Sequence, residues 1–329
     1  METFKSFTSK LYSVNDTSFQ NIALEVFHIQ AGSNPVYRDF IHNLGVNASK
    51  VRSLQQIPFL PIAFFKTHDV QTGQWLPETT FISSGTTQAR PSRHLVPDLQ
   101  FYLDHSVKCF EHFFGSIKNY HFLALLPSYL ERQGSSLVAM MDHFIRISES
   151  PHSGFYLNDY DGLVKKIASI KNDSRKTILW GVSFALLDLA EKYTIDLSNC
   201  MVFETGGMKG RRGEITKNEM RETLSAKINV KTLFSEYGMT ELLSQAYSAQ
   251  NNSFICPPWT KVLCRDITDP QTTGLLSETG GINVIDLANW RTISFIETED
   301  LGRVAANGSF EILGRLDNSD LRGCNLLIE

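Results

Sequence analysis

Four stretches of the chain combine hydroxyl, glycine and charged residues as phosphate and nucleotide chemistry requires. The first is Phe81-Ile-Ser-Ser-Gly-Thr-Thr-Gln-Ala-Arg-Pro-Ser-Arg93. Ser83, Ser84, Thr86 and Thr87 surround Gly85, offering hydroxyl donors and close backbone approach, and Arg90 and Arg93 add positive charge. That composition suits a phosphate, although an ordinary Ser/Thr-rich turn reads the same way and the Gly-Lys-Ser/Thr ending of a P-loop is missing. The second is Glu204-Thr-Gly-Gly-Met-Lys-Gly-Arg-Arg-Gly213, where Gly206 and Gly207 let a backbone approach a flat ligand or simply make a surface turn. In the third, Ser235-Glu-Tyr-Gly-Met-Thr-Glu241, Glu241 reads either as a helix-cap carboxylate or as a metal-holding one. The fourth is Glu299-Asp300-Leu-Gly302, followed by Leu313-Gly-Arg-Leu-Asp317 and Arg322-Gly-Cys324; each fits a turn between strands as well.

The elements around these stretches are those of an α/β protein. The first 80 residues read as helical and loop-rich. From there to about residue 250, short β-rich runs alternate with amphipathic helices: strands at Phe122–Leu126, Thr177–Trp180, Met201–Phe203 and Lys231–Phe234, helices at Ser135–Ile147 and Phe184–Tyr193. Thr216 opens a further helix with a Thr-Lys-Asn-Glu capping box, and a last helix is expected from Met239 to Tyr247. Such alternation predicts a mostly parallel sheet flanked by helices, with ligands at the carboxyl ends of its strands, where the motif loops fall. After residue 253 the pattern becomes β-rich, at Lys261–Asp266, Ile282–Asp286, Thr292–Glu297 and Phe310–Leu313, with Asn307-Gly308 as a hairpin turn. The expected organisation is therefore 1–252, a helical lead-in and α/β nucleotide-binding core, and 253–329, an antiparallel β-subdomain completing the site.

The bulk properties narrow the class. The 329 residues are 42% hydrophobic and 20% charged with a formal net charge of -4, and no Lys/Arg-rich run offers a nucleic-acid surface. No apolar run reaches the roughly 18–20 residues of a membrane span, and the amino terminus lacks the pattern of a secretory signal. The five cysteines are odd in number and scattered, without a disulfide framework or zinc spacing. A reduced, cytoplasmic protein is expected.

The order of the four stretches is more specific than any one of them. A hydroxyl/Gly loop, Gly-Gly, Tyr-Gly-x-Thr-Glu, Asp-Leu-Gly and Gly-Arg-x-Asp together resemble the adenylate-forming superfamily of acyl and aryl ligases, from about residue 81 to 324. Within it, Leu126-Pro-Ser-Tyr-Leu-Glu-Arg-Gln-Gly-Ser-Ser136 and Arg322-Gly-Cys324 look most like the acyl-protein synthetase branch, which includes the fatty-acid-activating enzyme of bacterial bioluminescence operons; phenylacetate–CoA ligases look more distant. The resemblance implies a large adenylate-forming domain, ATP and Mg²⁺ as cofactors, and a fatty acid as substrate. It also implies hand-off to an acyl-CoA-reductase-like or carrier-protein partner. By position, Ser83 to Thr87 would grip the ATP phosphates with Arg93 as the nearest cation, Gly206 and Gly207 would border the adenine, and Tyr237 and Gly238 would lie near its face. Thr240 would bond the adenylate phosphate, Glu241 would hold Mg²⁺, and Asp300 would bind the ribose with Arg315 beside it. Two departures stand out: Gln88 and Ala89 occupy positions where the superfamily has Gly and Lys, and the mobile carboxy-terminal lid with its catalytic lysine is expected to be absent. The branch also implies an acyl-accepting thiol, and Cys324 beside Arg322 matches it, since a nearby guanidinium favours the thiolate; a buried structural cysteine is the plain alternative.

Other readings stay open. Gly181-Val-Ser183-Phe-Ala185 imitates the nucleophile elbow of α/β hydrolases without its second glycine. In the favoured reading the same segment lines an acyl pocket through Trp180, Phe184 and Leu187. The acyl group could pass to CoA or a carrier thiol with Cys324 structural, and a nucleotide-binding scaffold without turnover is the non-enzyme alternative.

Overall fold

The computed structural model describes residues 4–83, 90–127, 134–206, 217–248 and 252–316. Among these, the helices in chain order are α1 (Phe4–Tyr12), α2 (Phe19–Ser33), α3 (Pro35–Asn43), α4 (Phe64–Thr67), α5 (Leu99–Phe114), α6 (Ser136–Ile147), α7 (Tyr160–Ser169), α8 (Ser183–Lys192) and α9 (Lys217–Ile228). The strands are β1 (Leu60–Pro61), β2 (Thr79–Ile82), β3 (Arg93–Val96), β4 (Tyr120–Leu125), β5 (Gly154–Phe155), β6 (Lys176–Val182), β7 (Cys200–Thr205), β8 (Leu233–Tyr237), β9 (Ala246–Ser248), β10 (Ser253–Phe254), β11 (Thr260–Arg265), β12 (Thr273–Leu275), β13 (Gly280–Asp286), β14 (Phe295–Val304) and β15 (Phe310–Arg315). No helix of the described residues is long and apolar enough to cross a membrane.

The chain packs as two compact units. One comprises the described parts of Phe65–Asp69 and Gln74–Pro257. Its sheet runs β5-β4-β6-β7-β8-β9, parallel throughout except for β9, which is antiparallel to β8. All six residues of β4 are buried, as expected of a strand covered on both faces. Successive side chains point to opposite faces, which separates two kinds of packing. On one face Trp180, Phe203 and Phe234 form a stacked ladder across β6, β7 and β8, with centroids 4.6 and 4.9 Å apart, under Phe110 of α5 and Phe144 of α6. On the other, α8 lies so close to β6 that a Cβ on Gly181 would fall 2.8 Å from Leu186. Trp180 and α8 therefore occupy opposite faces of the sheet. The expected apolar pocket of Trp180 with Phe184 and Leu187 does not form: Trp180 is a core residue with no exposed surface.

Helix starts follow local chemistry. Asp98 caps α5 by accepting from Phe101 N–H at 2.8 Å, Asp159 caps α7 by accepting from Gly162 N–H at 2.9 Å, and Ser135 caps α6. The helix expected at Met239–Tyr247 is a second correction. Residues 239–245 form turns, and Ala246–Ser248 is strand β9, registered Ser235↔Ser248 and Tyr237↔Ala246 against β8. Polar groups of this segment bond outward, to two histidines described below, instead of to their own helix. Thr216, expected to open α9, lies outside the described residues.

The second unit holds the described parts of Met1–Phe64, Val70–Gly73 and Pro258–Glu329. Its sheet runs β15-β14-β13-β11-β12 with antiparallel neighbours, and β1 pairs in parallel with the start of β14. The Asn307-Gly308 turn forms as expected, with Gly308 at φ 81 and Ala305 N–H donating to Ser309 O at 2.8 Å. The division differs from a boundary at 252/253, because the amino-terminal helices pack on this sheet. Gln30 of α2 is fully buried; its Nε2 donates to Trp290 O at 3.0 Å and its Oε1 accepts from Ser294 N–H at 3.1 Å. Asn34 donates to Thr292 O at 2.9 Å while also capping α3, and Phe27 and Tyr37 pack on Phe295. Asn34, at the junction of α2 and α3, is thereby part of the β-unit's core. Replacing Gln30 with Leu keeps the volume but strands backbone groups of 289–294; chemical denaturation should show a loss of about 2–4 kcal/mol, since each unsatisfied buried group costs about 1–3 kcal/mol.

Candidate active site

Three of the motif stretches leave strand ends of the α/β unit. At the end of β7, Glu204 is buried, 5% exposed. One carboxylate oxygen accepts from the Ser235 hydroxyl of β8 at 2.7 Å, and the other lies 3.0 Å from the Ser183 hydroxyl at the start of α8. Ser183 is also 2.6 Å from Gly206 O, so its single proton is shared between two acceptors. One carboxylate thus cross-links the ends of β6, β7 and β8 and fixes Gly206, whose φ of 70 favours glycine. Ser183 is buried and bonds Glu204 and Gly206 O, and among the described residues no imidazole is a hydrogen-bond partner of it, which does not suit a nucleophile.

Thr205 donates to the Glu236 carboxylate of β8 in a short contact. A Cβ on Gly238 would collide with that same carboxylate, so glycine lets Glu236 stay on Thr205. Tyr237 packs its ring 5.7 Å from Phe254. Beyond it the chain enters the turn carrying Thr240 and Glu241; Glu241 is 5% exposed. Two histidines grip this turn. His94 of β3 places Nδ1 2.8 Å from Thr240 O, and His105 of α5 places Nε2 2.8 Å from Ser244 Oγ. Burial pushes the His94 imidazolium pKa down from 6.5 to about 4 and that of His105 to about 3, so both rings are neutral near pH 7.

In the hydroxyl-rich stretch, Ser83 closes the neck: its N–H donates to Ser92 O at 3.0 Å, and its Oγ accepts from Ser92 N–H at 2.8 Å. Ser84, Gly85, Thr86 and Thr87 lie outside the described residues, as do Gly207 and Cys324. Arg93 pairs at 3.2 Å with Asp69 on an exposed surface, and Arg90 is exposed. In the β-unit, Asp300 and Arg315 are directly opposed across β14 and β15. Arg315 bonds Glu299 at 2.9 Å, with its Nε 3.9 Å from Asp300. Arg265, 4% exposed, holds the strand just ahead of Asp300 by donating to Thr298 O at 2.8 Å and to Ile282 O at 2.9 Å.

Among the described residues no three His, Cys, Asp or Glu side chains gather as a metal cage. Carboxylate oxygen is the kind of donor Mg²⁺ takes alongside substrate phosphates and water, and Glu241 is a buried carboxylate of that kind. Sequence patterns singled out Gly206, Tyr237, Thr240 and Glu241, and Ser183 only as an elbow-like serine; they gave no role to His94, His105, Glu204 or Ser235. Only their placement at predicted strand ends carried any signal for Glu204 and Ser235.

No protein-family model matches the sequence, and no curated protein matches it at a significant level. Solved structures do match. A 2-hydroxyisobutyryl-CoA ligase in an open conformation with 2-HIB-AMP and CoA superposes with a TM-score of 0.68 at 12% identity, over 92% of this chain and 70% of that one. ATP-bound MatB from Rhodopseudomonas palustris gives 0.54 at 16%, over 72% of this chain. O-succinylbenzoate coenzyme A synthetase from Bacillus subtilis with AMP gives 0.52 at 17%, over 74%. The fold is that of the adenylate-forming ligases. The match spans about half of MatB, 47% of its length.

Acid titration probes the grip on the turn. Both histidines have folded pKa values below 6.5, so the unfolded chain binds their protons more readily; their stabilisation is complete above about pH 6.5 and is lost as pH falls towards 4 and then 3. Denaturant midpoints measured from about pH 7 down to about pH 4 should fall less steeply in His105→Gln than in the parent chain.

Proposed function

We propose that this chain is a ligase that activates a carboxylic acid with ATP and passes the acyl group to a thiol. A carboxylate oxygen attacks the α-phosphorus and pyrophosphate leaves; a thiolate then attacks the acyl carbon of the adenylate and AMP leaves. What supports this reading is that Gly206, Tyr237, Thr240 and Glu241 lie at or just beyond the ends of the adjoining strands β7 and β8, in a chain whose fold matches that of adenylate-forming ligases. The fold's relatives were solved with ATP, AMP or an acyl-adenylate bound.

In this reading, Ser83, Ser84, Gly85, Thr86 and Thr87 hold the phosphates with Arg93 nearby, and Gly206, Gly207, Tyr237 and Gly238 receive the adenine. Thr240 bonds the adenylate phosphate, and Asp300, with Arg315 beside it, takes the ribose hydroxyls. Mg²⁺ held by Glu241 would neutralise charge on the departing pyrophosphate. The turn's two neutral histidines keep Thr240 in place without adding charge of their own. By resemblance to the acyl-protein synthetase branch, the acid is a fatty acid, the accepting thiol is Cys324, the setting is cytoplasmic, and the partner is an acyl-CoA-reductase-like or carrier protein. A second reading sends the acyl group to CoA; the hydroxyisobutyryl-CoA ligase with bound CoA favours it.

Intact mass after incubation with ATP, Mg²⁺ and a panel of fatty and aryl acids separates the two acceptors. A hydroxylamine-labile adduct of acid mass minus water, absent from Cys324→Ser, is expected. No adduct, with acyl-CoA formed instead when CoA is supplied, would move the acceptor to CoA. Glu241→Ala should lower the adenylation rate by about 100-fold or more in either case, as removal of a group that stabilises developing charge does.

A further inference from the structure

Two imidazoles with no exposed surface reach one turn from separate elements. His94 sits on β3, just past the Ser83–Ser92 neck of the hydroxyl-rich stretch, and its Nδ1 is 2.8 Å from Thr240 O. A carbonyl oxygen only accepts, so Nδ1 carries the proton. His105 is the seventh residue of α5, with Nε2 2.8 Å from Ser244 Oγ. Each ring is backed by an aromatic: Phe65 meets His94 edge-on, at 5.5 Å and 81°, and Phe101 stacks on His105 at 5.5 Å and 21°. The turn between these two anchors is short of regular structure. Leu242 N–H to Met239 O, at 3.1 Å, is the backbone bond that closes it. Gln245 Nε2 donates to Leu243 O at 3.1 Å within the segment, and two further bonds reach it from outside, from β3 and α5.

We propose that His94 and His105 are positioning residues that hold the Thr240–Ser244 turn against β3 and α5, so that ATP use depends on one particular nitrogen of each ring. The inference rests on the ATP reading above and goes beyond it by naming two residues that act through the turn. The chemistry selects its own controls. Asn carries its amide nitrogen two bonds from Cβ, where His has Nδ1, and Gln carries its amide nitrogen three bonds out, where His has Nε2. Asn should therefore replace His94 and Gln should replace His105, but not the reverse.

The test uses the four variants His94→Asn, His94→Gln, His105→Gln and His105→Asn in the full chain. Two readouts are taken: deuterium uptake by peptides covering 238–245, and KM and kcat for ATP in carboxylate-dependent pyrophosphate exchange. His94→Gln and His105→Asn should speed uptake in the turn and raise KM for ATP about tenfold or more, with kcat changed less, as expected when a buried acceptor or hydroxyl loses its partner. His94→Asn and His105→Gln should stay within about threefold of the parent in KM. Equal behaviour of the two variants at either position, both harmless or both damaging, would overturn the proposal, because loss of general stability does not distinguish Nδ1 from Nε2. If the parent chain shows no exchange with any acid, the ATP reading falls while deuterium uptake still decides whether the two rings hold the turn.

Discussion

The buried carboxylate of Glu204 is the interaction on which the arrangement of the α/β unit's strand ends depends. A carboxylate removed from water is costly unless it is hydrogen-bonded, and here its donors are hydroxyls from the neighbouring strand and the following helix, Ser235 and Ser183. Satisfying that one group ties the start of α8 and β8 to the end of β7, across strands whose spacing the backbone ladder sets. Through the shared Ser183 proton it also fixes the left-handed Gly206. Beneath it, the Trp180–Phe203–Phe234 ladder fills the sheet's face with rigid rings, so the strand ends rest on a floor with little freedom to shift.

The turn after β8 is held by a different device. Strand and helix ladders satisfy their own backbone groups, but the segment from Gly238 to Gln245 belongs to neither. Its Thr240 carbonyl and Ser244 hydroxyl are met by imidazoles instead. Neutral rings suit this place: they supply one directed donor or acceptor each without a charge that would compete for phosphate. The β-unit uses a charged analogue, with Arg265 spanning β11, β13 and β14 just ahead of Asp300 and its guanidinium satisfied by backbone carbonyls and Asn283.

Much of the fold was legible in the residues. The apolar run Phe122–Leu126 marks the buried strand β4, and Ser135 marks the start of α6 locally, whereas α5 is not read from the sequence. The Met239–Tyr247 segment was misread because its apolar spacing is also that of a helix, whereas its structure is set by groups more than a hundred residues away in sequence, His94 and His105. The grouping of residues 1–64 with the β-unit was hidden for the same reason, since Gln30 and Asn34 reveal their role only when Trp290, Thr292 and Ser294 are beside them. Gly206 and Tyr237 to Glu241 stand in local motifs that a sequence reading can single out, whereas Ser183 reads only as an elbow-like serine and the two histidines, which bond partners distant in sequence, stand in no motif.

The central claim is that this fold joins a carboxylate to AMP. Exchange of labelled pyrophosphate into ATP by the parent chain tests it most directly, with acids ranging from short hydroxy acids to aryl and fatty acids supplied one at a time. Label should enter ATP only when an acid that fits is present, and its rate should identify that acid. Failure of every acid to support exchange, or exchange that proceeds equally without any acid, would contradict the account.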